Sequence, residues 1–267
     1  MTCVTLVKLF RLIAVLFQSI IFAIDICKLQ HITKNEIPMI VMKKDFETNF
    51  TAWSFIVAAI FLWLGWMLSP HHIGEYIVFS DFAPIGEDIW LWIWMYRIHI
   101  FGWVIMGIAL FALVSLIGRK PYRVVILPGA GMVIIGTFTL AIAAAYFYNH
   151  GAWGVGQTAG KSAVEVQEFM DKLLFTNQYV TCFIRFGRIF SGVGLVLLGF
   201  GFIKWKLVAT WLGWFTVLLG FAAMIIILSI PENFEVYKPI FHVKVLWLVA
   251  MGIMLLRKGI HLPEANS

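Results

Sequence analysis

"WLWIWMYRIHIFGWVIMGIALF", Trp90 to Phe111, is apolar over a length that crosses a lipid bilayer, yet it holds Arg97 and His99. Roughly 20 apolar residues carry a helix across the hydrocarbon. Ionisable side chains at that depth are costly, face a bundle interior or a watery cavity, and mark a pathway or a ligand. The stretch therefore reads as a membrane span with a purpose for its two polar residues.

The rest of the chain agrees with that reading. Of its 267 residues, 61% are hydrophobic and 13% charged, with 24 Phe and 12 Trp, whereas a soluble domain keeps about a quarter of its residues charged. Apolar runs predict six spans, at about 51–69, 88–117, 122–148, 178–203, 207–230 and 238–256. The expected fold class is all-α, a polytopic membrane helix bundle. The net charge of +6 is spread over short connections and is no nucleic-acid footprint. Instead it sets orientation. Lys43, Lys44, Arg119, Lys120, Arg123, Lys204, Lys206, Arg257 and Lys258 fall on one side. Glu75, Asp81, Glu87, Asp88, Glu165, Glu168, Asp171, Glu232 and Glu235 fall on the other, with only Lys161, Lys172 and Lys238 among them. The basic side is expected in the cytoplasm of a cell (inner or plasma) membrane, with both ends of the six-span unit inside. Cys3, Cys27 and Cys182 lack paired or metal-type spacing and give no disulfide framework.

Three segments follow: an N-terminal hydrophobic extension over 1–41, a six-helix transmembrane domain over 42–258, and a cytoplasmic tail over 259–267. "VTLVKLFRLIAVLFQSIIFAIDI" is apolar but broken by Lys8, Arg11 and Asp25. It fits an N-out span, a surface helix or an uncleaved targeting segment; alternatively Met42 is the start and the upstream stretch a gene-model extension. The hairpins around Arg97 and Arg185 share an arginine, a basic turn and a glycine-bearing return helix, as in a parallel repeat. Between the third and fourth spans, "NHGAWGVGQTAG" reads as a glycine-rich loop. Ser162 and Glu165 make a capping-box spacing, and Val166, Phe169, Met170, Leu173 and Leu174 share a face that suits a helix lying on the membrane.

Counting inward at 1.5 Å per residue, Arg97 and His99 lie roughly 13 and 16 Å from Asp88. Arg185 and Arg188 lie roughly 12 and 16 Å from Asn177, and His242 and Lys244 roughly 10 and 13 Å from Glu235. Three helices thus bring cations or imidazoles to one layer with no carboxylate at that depth. An anion would supply the missing charge: a haem propionate, a lipid phosphate or a small carboxylate. His99 and His242, on different helices, have the placement of two axial haem b ligands. Two features pull the other way. A cation within two or three turns of an interface can snorkel to the headgroups, and the Arg-x-His and His-x-Lys spacings turn their side chains about 200° apart.

A second group, His71, His72 and His150, would offer a divalent metal loop ligands beside Glu75 or Asp81. The small residues Gly187, Ser191, Gly192, Gly194, Gly199 and Gly201 predict close packing of the fourth span. Trp90, Trp92 and Trp94 at one edge, and Trp205 and Trp211 at the other, read as interfacial belts. No Walker loop, dinucleotide fingerprint, nucleophile elbow or metal helix is present in the sequence. Three classes of function remain: a haem- or quinone-binding redox or accessory subunit of a membrane complex with other membrane subunits, a small-anion transporter or receptor, and a structural or assembly subunit that binds lipid.

Overall fold

The computed structural model describes residues 39–41, 46–67, 82–117, 123–229, 234–258 and 261–263. Val41–Leu262 forms one compact unit, and the remaining residues fall in a second. The N-terminal hydrophobic segment, the basic pairs at 43–44 and 119–120, and His71 and His72 lie outside the described residues. Short strands run over Met39–Val41 (β1) and His261–Pro263 (β2).

Everything else described is almost wholly helical. The helices are α1 (Phe46–Met67), α2 (Phe82–Glu87), α3 (Ile89–Ile117), α4 (Arg123–Phe147), α5 (Gly154–Thr158), α6 (Ala163–Lys204), α7 (Thr210–Ser229) and α8 (Phe234–Lys258). Six of them are long and apolar enough to cross a membrane, with α4 and α5 counted as one. The chain is an all-α polytopic membrane bundle.

Two connections differ from expectation. The glycine-rich stretch after α4 is helical: a wide π turn over Tyr148–Trp153 leads directly into α5. Gly154 serves packing, since a Cβ on it would come within 3.3 Å of the Phe169 ring, whereas Gly160, at φ +78°, makes the turn that ends the stretch. Nor does the amphipathic segment after Ser162 lie apart on the surface, for α6 runs unbroken over 42 residues. The capping box starts it as predicted: the Ser162 N–H donates to Glu165 Oε2 at 2.8 Å, and Glu165 N–H to Ser162 Oγ at 3.4 Å. No glycine or proline then occurs before Gly187, so nothing stops the helix where a corner was expected.

Each span packs against its neighbours in sequence, and α8 returns to α1, so the six make a ring. Contacts on successive turns give its alternation. Gly65 meets His99 while Gly102 meets Leu62, and Ala52 meets Gly252 while Trp66 meets Phe241. Paired positions that rise on one helix and fall on the other are antiparallel. Thus α3, α6 and α8 run one way and alternate around the ring with α1, α4 and α7. The arginine hairpins α3–α4 and α6–α7 run in the same sense.

The small residues of α6 work on both flanks. A Cβ on Gly194 would sit 2.5 Å from the Gly129 carbonyl of α4, and one on Gly199 would sit 2.8 Å from the Gly213 carbonyl of α7. Only glycine lets backbones approach so closely. One core cluster fills the bundle, and a smaller one joins α2, the start of α3, the end of α4, α5 and the middle of α6. Trp92 belongs to this smaller core, not to an interfacial belt. Trp90 and Trp94, one turn apart, are exposed, whereas Trp92 points the opposite way and is buried.

Candidate functional site

Helix α8 places Tyr237, Phe241, Lys244, Leu248, Met251 and Leu255 at alternating steps of four and three, and all six are buried. Such a stripe faces a bundle core. Lys244 sits within it, 3% exposed, and its Nζ lies 5.0 Å from the ring centre of Trp103 on α3. Arg188 occupies the matching stripe of α6, 6% exposed, with its guanidinium carbon 4.2 Å from the ring centre of Tyr237. The two positive charges act on one another. Three helices of one direction, alternate members of the ring, therefore meet through Trp103, Arg188, Tyr237 and Lys244. Among the described residues, no carboxylate and no hydrogen-bond acceptor stands against the Lys244 ammonium.

Aromatic rings surround this pair. Phe241 lies 6.2 Å from Trp103 and 5.0 Å from Trp66. His99 and His242 pack edge-to-face on Phe241, at 6.2 and 5.7 Å, and His242 also meets Trp66 at 5.6 Å. The His99 ring is wedged on the α1 backbone, where a Cβ at Gly65 would lie 3.0 Å from its Cγ. Haem ligation needs both imidazoles end-on to one flat macrocycle. Here both rings are engaged with Phe241.

Arg97 goes elsewhere. Its Nε and Nη2 donate to the Tyr148 hydroxyl at 3.2 and 2.9 Å, and its guanidinium carbon stands 5.1 Å from the ring centre of Trp94. The π turn aims Tyr148 at Arg97 and sets Trp153 edge-on to the Tyr148 ring. One step along, Tyr146 donates to the buried Asn177 side chain and stacks on His150, with ring centres 4.4 Å apart. Arg185, one residue short of a full turn from Arg188, is exposed on the outer face of α6.

Of the six residues read as cofactor-binding, the fold brings Arg188 and Lys244 together. His99 and His242 flank them across Phe241. Arg97 lies at a separate rim site, and Arg185 faces outward. His150 belongs to the rim, and among the described residues no three His, Cys, Asp or Glu side chains gather as a metal site. Sequence reasoning missed Trp103, Tyr237 and Tyr148. Nothing marks these three out in a chain with 12 Trp and 7 Tyr, although the four–three stripes do separate Arg188 from Arg185. Prolines lie inside two of the spans, Pro128 in α4 and Pro239 in α8.

Comparison with protein-family models, with curated proteins and with solved structures finds no match. The fold itself defines the class: a multi-pass membrane protein whose six apolar helices contact the bilayer.

Proposed function

We propose that this protein binds an anion at the centre of its helix ring, held between Arg188 and Lys244 on a floor of aromatic rings. The observation that carries the reading is the buried Lys244, whose described partners are the Trp103 face and a second cation. A lysine at mid-span costs roughly 2.5–3.5 kcal/mol on insertion scales. A desolvated cation–π contact returns about 2 kcal/mol, and repulsion from Arg188 removes part of that. A bound negative charge closes the gap. The reading belongs with the transporter or receptor class for small anions, in a cell membrane with the acidic connections facing out. Haem b receives less support, because His99 and His242 are both packed on Phe241.

Thermal unfolding of the detergent-purified protein tests it, with inorganic phosphate and a short-chain phosphatidic acid as probes. At about 100 times the dissociation constant, a ligand stabilises by about 2.7 kcal/mol. The wild type is expected to show that gain with at least one probe, and Lys244→Met is expected to lose it. A wild type indifferent to both probes sinks the anion reading, and a Soret band in the purified protein restores haem.

A further inference from the structure

We infer that the anion reaches the central site from the bilayer, between α7 and α8, and is the phosphate head of an acyl-chain amphiphile. This rests on the anion reading above and narrows it to one class of ligand.

The ring is not equally tight all round. Among the described residues, five of its six seams are broad, and the α7–α8 seam is the thinnest. Glycine contacts close α1–α3, α4–α6, α6–α7 and α8–α1. The α7–α8 seam is pinned instead by a hydrogen bond from Trp247 Nε1 to Thr216 Oγ1 at 2.8 Å, deep toward the basic end. Past Ala223, α7 has no buried residue: Met224–Ile227 and Ser229 are half-buried, and Leu228 is exposed.

That loosely packed stretch is level with Arg188 and Tyr237, and it begins about a turn outward of Lys244. Gly192 of α6 stands against Gly220 and Met224 of α7, so Arg188, one turn nearer the acidic end, falls beside the turn after Met224. From the Trp247–Thr216 bond, Lys244 lies about one turn and Tyr237 about three turns toward the same end. Among the described residues, the wall that separates Arg188 and Tyr237 from lipid is therefore loosely packed, and Lys244 lies just inward of it. A charged head can sit between the cations while its acyl chains stay outside, along Ile225, Leu228 and the outer face of α8. A phosphate suits two adjacent cations, since it offers several acceptor oxygens and up to two negative charges.

The test uses the full chain in phosphatidylcholine nanodiscs, with or without a minor fraction of phosphatidylglycerol, and native mass spectrometry to count retained lipid. The wild type is expected to retain phosphatidylglycerol, and Lys244→Met and Arg188→Gln to lower retention by about tenfold each. Inorganic phosphate should leave it in place. Ile226→Trp, about 200° around α7 from the Met224 face that packs on α6, narrows the seam and is expected to slow uptake of phosphatidylglycerol from added vesicles without lowering the amount finally bound. An unchanged uptake rate overturns the lateral route, and this arm stands even where the charge variants fail to fold. Phosphate that binds through Lys244 while phosphatidylglycerol does not overturns this inference and leaves the anion reading intact. Lysine-independent behaviour of both probes removes the two together.

Discussion

Arg97 and Lys244 start from the same place, each about 13 Å in from an acidic helix end on helices that run the same way, and they come to opposite arrangements. Arg97 turns off its helix's buried stripe and gives two N–H groups to one phenol oxygen. Lys244 lies on its stripe and, among the described residues, meets the Trp103 ring face and another cation. The rim cation is satisfied within the chain by Tyr148, while the central cation is the one that the proposed anion would neutralise. Depth alone does not separate them; the direction around the helix does.

The sharpest way to break this contrast is at Trp103, the ring under Lys244. Trp103→Ala is expected to cost about 3–5 kcal/mol, as large-to-small core changes do, in detergent or denaturant unfolding. A double-mutant cycle with Lys244→Met should show a coupling of about 0.5–2 kcal/mol from the lost cation–π contact. Strict additivity would mean that Trp103 merely fills space. At the rim, Tyr148→Phe keeps the ring and removes the oxygen that Arg97 uses. A hydrogen bond to a charged group contributes about 1.5–3 kcal/mol, so a loss of that order is expected in the same assay, with the response to anions unchanged. If Tyr148→Phe instead weakens anion binding as strongly as Lys244→Met, the two sites are one. The smallest effect belongs to Arg185, on the outer face of α6. Arg185→Leu should shift stability by no more than about 0.5 kcal/mol and leave anion binding intact. A large loss of binding there would return Arg185 to the centre.

How much of this the sequence carries can be followed on α6. Its apolar length marks the span and Ser162 with Glu165 marks its start, because both signals are local. Asn177, Thr181, Ile184, Arg188, Ser191, Leu195, Leu198 and Phe202 repeat at steps of four and three, and every one is buried. Burial puts Arg188 on that stripe and Arg185 off it, a separation that depth counting cannot make. The absence of a corner near Asn177 is harder to read, since a surface helix followed by a span and one long helix share the same residues. The partners of the cations are not legible at all. Trp103, Tyr237 and Tyr148 gain their roles from which helices become neighbours in the ring, a long-range property that no local spacing encodes. Gly154 and Gly156 mislead for a related reason: they look like flexibility, and they are used for close contact.

Helix α6 also has a mechanical consequence. Its 42 residues make a rod of about 63 Å, and the hydrocarbon of a bilayer accounts for about 30 Å of that. Glu165 and Arg188 thus belong to one stiff beam, with an outer arm that packs on Gly154 through Phe169 and an inner arm that carries Arg188. The glycine contacts at Gly187, Gly194 and Gly199 sit where such a beam would have its fulcrum. The charged tip near Glu165, Glu168 and Asp171 and the guanidinium over Tyr237 are thus carried by one continuous helix.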